Sequence, residues 1–465
     1  MRQTVGALTA ALLLAAVGCA GEDEGERTRG QAASESAYTF PPAPAVSSQA
    51  LAPTVDAALD RILPQARVGV LDRELLATIA ASHDPRLAWL VSDLLRFYQG
   101  ASLEEDALVD AFEELTGVDV RSDPLFTDGA WRVVTDHLIA WDSPAPPRYR
   151  ERKAKLYLGL EPGWAPFFED ADSEIDWRRV AWGGVLIDDR KLGDRNECFR
   201  GCIPALDDPA LTAAAEGDWY PDDRIVFGVV VGGEAVALPK NVMEVHEMVN
   251  ITVDGRRLGI PYCTLCGSAQ AYITDAVSPG AAPLVLRTSG LLQRSNKLMY
   301  DLDTSSAIDT FTGRALSGPL QSAGVTLDQV TVVTSTWGEW KEAHPNTKIV
   351  ARDGGIGREY EDDPLGGRDD NGPIFPVGAV DPRLPVQTKI VGVIAPDGAP
   401  VAFVAREAAK ALRGGETVTL AGVDLVADGG GLRARTAGGE DLAAHEAFWF
   451  AWSQFHPETE LWRAD

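Results

Sequence analysis

Basic residues are in short supply: 42 lysines and arginines stand against 69 aspartates and glutamates, a formal net charge of −27 over 465 residues. Nucleic-acid phosphates demand a basic face, so this balance argues against a nucleic-acid partner. The excess reads as a solvated, soluble surface. Long apolar runs are also missing: past the first twenty residues no stretch reaches the roughly 18 uninterrupted apolar residues of a membrane-spanning helix. Cysteine is sparse, with five in the chain, and four of them form two close pairs, Cys198 with Cys202 and Cys263 with Cys266. Outside the cytoplasm such pairs can be disulfides, so redox compartment alone does not decide their role. What is present is ordinary for a globular protein of two or three domains: 45% hydrophobic and 8% aromatic residues.

The chain opens on a leader, residues 1–19. Arg2 supplies a positive start, Ala7 to Val17 a short apolar run, and Ala16-Val17-Gly18-Cys19 the small-residue pattern of a bacterial lipoprotein cleavage site. Cys19 is therefore the expected lipidation site. Export to the bacterial cell envelope follows, with a lipid anchor in the membrane and a periplasmic or surface-facing protein; plain secretory cleavage nearby is the alternative. Residues 20–54, rich in Glu, Ser, Ala and Pro, read as a tether. From 55 to 143, apolar residues recur at three- and four-residue spacing (Leu59, Ile62, Leu63, then Leu87, Leu90, Val91, Leu94), which predicts a helical domain. Asp84-Pro85 has the form of an N-cap followed by proline, and Ser102 with Glu105 that of a capping box. A connecting segment, 144–202, leads into short β-rich runs such as Ile225 to Val231 and Val330 to Thr334. The fold class is α+β, a helical domain followed by a β-rich mixed domain.

That second domain reads as internally duplicated. Trp337-x-x-Trp340-x-x-x-His344-Pro345-x-Thr347 matches Trp449-x-x-Trp452-x-x-x-His456-Pro457-x-Thr459 at identical offsets, and a similar strand pair precedes each. Copy one spans 203–350 and copy two 389–465, separated by an acidic Gly/Asp/Pro loop at 351–388 that reads as solvated rather than calcium-binding. Each Trp-x-x-Trp element is predicted to be a short helix whose rings plug a core, with His344 and His456 structural.

The candidate site lies in copy one. Cys263-Thr264-Leu265-Cys266-Gly267 has the form of a tight turn that presents two sulfurs to a metal ion, Gly267 supplying the positive φ. His246 sits on a helix predicted from about Pro239 to Val249, and the reversal at Asp254-Gly255 returns a strand into the cysteine turn. His246, Cys263 and Cys266 are the expected ligands of one transition metal (zinc, copper or iron), with Met299 or Asn250 as a possible fourth and Glu247 as the catalytic proton carrier. Asparagine at 250, where a zinc-protease helix would carry its second histidine, argues against that chemistry. A redox dithiol and a plain turn disulfide are the competing readings of the pair. Ser289 and Asn296 are the expected substrate contacts, a simple turn being the alternative. Cys198 and Cys202 are expected to form a local disulfide, or with the other pair a structural zinc site. The expected function is a metal-dependent redox or hydrolytic enzyme acting on an unidentified small molecule or protein. The alternative is a metal carrier or a disulfide-stapled scaffold.

These residues resemble a bacterial family catalogued as domain of unknown function 3179. The resemblance runs from about Ile203 to Trp462. It rests on His246-Glu247-Met248-Val249-Asn250, Tyr262-Cys263-Thr264-Leu265-Cys266-Gly267, Ser289-Gly290-Leu291-Leu292 through Met299-Tyr300-Asp301, Thr336-Trp337-Gly338-Glu339-Trp340 and Phe448-Trp449-Phe450-Ala451-Trp452. It implies no activity. Departures include Val236-Ala237-Leu238-Pro239 where the family has Arg-Ala-Tyr-Pro, Leu302 and Ala307-Ile308 in place of an arginine and a Leu-Trp, and Cys202 in place of a glycine.

Overall fold

The computed structural model describes residues 38–275, 277, 282–367 and 372–464. The leader with Cys19, the first part of the tether and Asp369 to Asn371 of the acidic loop lie outside the described residues. No helix among the described residues is long and apolar enough to cross a membrane.

Helices come first: Pro53–Ala66, Arg73–Ala80, Ala88–Phe97, Ser102–Thr116, Ala130–Ala140 and Tyr149–Leu160. Their boundaries follow local chemistry. The Asp72 carboxylate accepts the N–H groups of Glu74 and Leu75 at 3.1 Å each, satisfying donors that a helix N-terminus leaves bare. Asp84 does the same for Arg86, with Pro85 in the first turn. The capping box expected at Ser102 does not form: Ser102 is the first helical residue, and Glu105 instead accepts from the Gly100 N–H at 3.2 Å. The periodic residues face inward, with Leu59, Ile62, Leu63, Leu87, Leu94 and Leu95 at most 2% exposed. Their core does not stop at the helices. Trp164, Leu291, Leu298 and Tyr300 belong to the same apolar cluster, so the helical part packs directly on a sheet of the second region. Two polar ties reinforce that seam: Trp164 Nε1 donates to the Ser289 carbonyl at 2.7 Å, and buried Asp136 accepts the N–H groups of Val377 and Gly378 at 2.6 and 2.7 Å.

Among the described residues the rest is β-rich, five sheets in a propeller-like ring. Two of these sheets have the same connectivity. In one, the hairpin Ile225–Val231/Glu234–Pro239 takes Val332–Thr336 antiparallel on its first strand and Lys348–Val350 parallel on its second. In the other, Lys389–Ile394/Pro400–Val404 takes Ala444–Phe448 and Glu460–Trp462 in the same two ways. The Trp-x-x-Trp helices, Trp337–Ala343 and Trp449–Phe455, occupy the same link in each. Trp340 Nε1 donates to Thr347 Oγ1 at 3.0 Å, and Trp452 Nε1 to Thr459 Oγ1 at 2.7 Å. Each ring lies over a glycine of the first strand: a Cβ at Gly228 would meet Trp340 at 2.4 Å, and one at Gly392 would meet Trp452 at 2.2 Å. The indole therefore takes the volume that a side chain would need, which is why a strand interior tolerates glycine here.

A third sheet carries the cysteines. Arg256–Cys263 runs between Met248–Val253 and Ala271–Ile273, with Asn250 opposite Gly259 and Cys263 opposite Ser268. A fourth, with Leu286–Gln293 and Asn296–Asp301 as its central hairpin, stands beside it.

Candidate functional site

The helix ahead of the site is Lys240–His246, ending three residues earlier than its sequence predicts. Glu247 takes the left-handed conformation (φ 51°), and the next residue already begins the strand Met248–Val253. A left-handed non-glycine residue costs about 1–3 kcal/mol, so the surroundings must hold it there. They do so twice: Lys297 Nζ donates to the Glu247 carbonyl at 2.8 Å and to its Oε2 at 2.7 Å. Thr264 Oγ1 donates to the other carboxylate oxygen at 3.1 Å.

This reversal sends neighbouring side chains into different places. Glu247 lines a cavity of about 280 Å³ with Cys263, Thr264 and Lys297. His246 lines another, of about 360 Å³, with Arg190 and Arg358. Its ring nitrogens are both engaged, Nδ1 with the Pro204 carbonyl and Nε2 with the Tyr360 hydroxyl, each at 2.7 Å. Burial, only partly offset by the Pro204 bond, pushes the imidazole pKa down to about 4. Among the described residues no group of three or more His, Cys, Asp or Glu is placed to hold a metal ion. The structure thus brings Glu247 to the sulfurs and does not bring His246. The two further candidate ligands are also occupied elsewhere. The Asn250 amide donates to Asp207 at 2.9 Å and to the Leu286 carbonyl at 3.0 Å, and Met299 packs with Met248 and Tyr272.

Cys263 ends its strand, and Thr264–Cys266 forms a single 3-10 turn closed by Gly267 at φ 57°. Both sulfurs are free thiols, 3% and 0% exposed. Only Cys263 lines the cavity. Cys266 sits behind it, with its Sγ 3.2 Å from the Ser295 carbonyl; that oxygen is 4.0 Å from Cys263 Sγ, too far to hold its proton well. Burial works against ionising Cys263. The hydrogen bond from Cys266 and the nearby Lys297 ammonium outweigh it, holding this thiol below the usual range against the opposing Glu247 charge. Burial and the donation to Cys263 push Cys266 well above the ordinary value. The result is a cavity-facing thiol whose ionisation is favoured and a second thiol behind it whose ionisation is opposed.

The second Trp-bearing unit builds the back wall. Cys263 and Cys266 pack in one apolar cluster with Ile390, Ala447, Phe448 and Trp449. Lys389 Nζ donates to the Gly267 carbonyl at 3.0 Å, and a Cβ at Gly267 would meet that ammonium at 2.3 Å. Gln454 donates to Ser295 Oγ at 3.0 Å, while Arg294 reaches back to the Gln454 carbonyl at 2.6 Å, fixing the hairpin tip whose carbonyl faces the sulfurs. Residue 267 therefore needs glycine for both its dihedral and its space.

The expected substrate contacts fall outside the cavity. Ser289 Oγ donates to the Leu298 carbonyl and accepts the Leu291 N–H at 3.1 Å, pinning the bulge around Gly290. Asn296 is fully buried, with no hydrogen-bond partner for its side chain among the described residues. It lines neither cavity. Cys198 and Cys202 are joined by a disulfide. Lys297, Lys389 and Gln454 are absent from the sequence reading; a lysine inside the otherwise apolar Lys297-Leu298-Met299-Tyr300 run is the one local signal.

The family described as Protein of unknown function (DUF3179) matches residues 200–436, just over half of the chain. The chain belongs to the DUF3179 family. That span contains Glu247, both site cysteines, Ser295 and Lys297; the Phe448-Trp452 stretch and Gln454 lie beyond its end. In this DUF3179 member, then, part of the wall behind the sulfurs comes from outside the matched region. No curated protein and no solved structure matches the chain.

Proposed function

We propose that the Cys263–Cys266 pair performs thiol–disulfide exchange, with Cys263 as nucleophile and Cys266 as the resolving thiol. The observation that carries this is positional: a thiolate-favoured Cys263 lines the cavity, and a protonated, unbridged Cys266 lies directly behind it. A thiolate, not a thiol, attacks a disulfide, and the second thiol then displaces the mixed disulfide. Lys297 supplies the charge that favours the thiolate, and Glu247 with Thr264 orients Lys297. Single-turnover reaction with a small disulfide, read by mass spectrometry, tests it. Wild type should end as the internal disulfide, Cys266→Ser as a mixed disulfide on Cys263, and Cys263→Ser unmodified. An unmodified Cys266→Ser protein would refute the assignment.

A second reading keeps both sulfurs as ligands of a transition metal. Two buried thiols at the ends of one turn suit a soft ion such as Cu(I) with few ligands. Elemental analysis of purified wild type and Cys263→Ser distinguishes this, since a metal site requires stoichiometric metal that the variant loses.

Export and lipid anchoring through Cys19 complete the proposal. The Cys198–Cys202 disulfide supports an oxidising compartment. The shared connectivity and paired Trp–Thr bonds support internal duplication, one copy keeping the thiols and the other buttressing them.

A further inference from the structure

The walls of the Cys263 cavity are apolar well beyond what a thiol needs. Val185, Ile203, Leu265, Leu291, Leu292 and Phe375 line it. Its charged groups are largely committed: Glu247 to Lys297 and Thr264, and Glu244 to Lys240. A carboxylate entering this space would lose its water without gaining a free cation to pair with. The volume is about 280 Å³, whereas a cavity of about 150 Å³ already accepts a benzene ring. There is room for a body of about two aromatic rings and not for a folded peptide loop.

From this geometry we propose, on the basis of the thiol-exchange reading, that the substrate is an uncharged apolar disulfide of small-molecule size. In the forward direction Cys263 sulfur attacks one sulfur of R–S–S–R, forming a Cys263–S–R bond as the substrate S–S bond breaks and one RS⁻ leaves. Cys266 gives up its proton, which the departing thiolate takes, and its sulfur attacks Cys263. The second RS⁻ then leaves. The protein loses two electrons to become the Cys263–Cys266 disulfide, and the substrate gains them as one thiol and one thiolate, the latter taking from solvent the proton that Cys263 released on ionising. The reverse sequence oxidises an apolar dithiol or thiol pair through the same steps.

The test uses the full chain in its reduced form and two aromatic disulfides, neutral 4,4′-dithiodipyridine and dianionic 5,5′-dithiobis(2-nitrobenzoate). Each rate at Cys263 is divided by that probe's rate with a free small thiol, which removes intrinsic reactivity. The normalised ratio should favour the neutral probe by about tenfold or more, since each tenfold corresponds to only about 1.4 kcal/mol of differential desolvation. Leu292→Gln, at the partly exposed edge of the cavity, should cut that preference several-fold. Equal normalised rates, or a preference that Leu292→Gln leaves intact, would overturn the substrate class while the exchange chemistry stands. No reaction of Cys263 with either probe would overturn both.

Discussion

Replacing Lys297 by methionine separates an electrostatic role from a packing role at Cys263. Lys297 is 5% exposed and its ammonium is held by bonds of 2.7 and 2.8 Å to Glu247, so its position is well defined. The Lys297 ammonium favours the thiolate and the adjacent Glu247 carboxylate opposes it, so Lys297→Met, which leaves the Glu247 charge in place, should raise the Cys263 pKa. For each unit of rise the thiolate fraction below that pKa falls about tenfold, while the more basic thiolate is about threefold more nucleophilic, so alkylation should slow about three- to fourfold per unit. Glu247→Gln carries the opposite sign. It removes the charge that opposes ionisation and retains an acceptor for Thr264, so the midpoint should move down. The assay is the pH profile of alkylation at the Cys263 peptide, read by mass spectrometry, with stability followed in parallel. A midpoint that stays put in Lys297→Met, or that rises in Glu247→Gln, would refute the reasoning.

Acid should destabilise the protein through its buried imidazoles: burial pushes His246 and His456 down to about 4 and His445 to about 3. The unfolded chain binds their protons first, so stability is complete above about pH 6.5 and declines as pH falls toward 4, by about 3 kcal/mol for His246. Urea midpoints measured from pH 7 to 4.5 check this, and a flat profile contradicts it. Asp136 runs the other way, since burial raises it to about 7 despite the Gly378 and Val377 N–H bonds. Asp136→Asn keeps an acceptor and removes the charge, so its stability relative to wild type should climb between pH 5 and 8 by about 1–3 kcal/mol; a pH-independent difference would argue against it. Trp340→Ala and Trp452→Ala should each cost about 3–5 kcal/mol in thermal or chemical unfolding. Equal, small costs under 1 kcal/mol would mean that these rings do not anchor their sheets.

Much of the fold is legible in sequence because it depends on neighbours. The three- and four-residue spacing of Leu59, Ile62 and Leu63 places a helix face, and Asp254-Gly255 places a reversal, with both residues at positive φ in the structure. The matched Trp, His, Pro and Thr offsets locate two equivalent helices and the Trp–Thr bond that closes each. Even the cysteine turn follows from Gly267. The sequence reading fails at Glu247, where one left-handed residue separates His246 from the sulfurs. Nothing in the Val245-His246-Glu247-Met248 pattern reports that conformation, because it is held by Lys297 from fifty residues away.

The chain by itself therefore determined where helices and hairpins start, that two similar units exist, and that two thiols share one turn; dihedral preference and periodicity act over a few residues and are written there directly. Which groups surround those thiols was decided only by tertiary structure. Ser295 and Lys297 approach the two thiols from one hairpin, Lys389 reaches their turn from the second unit, and Gln454 braces Ser295. The charge state of a buried sulfur depends on such through-space neighbours, and their distances are properties of the packed fold.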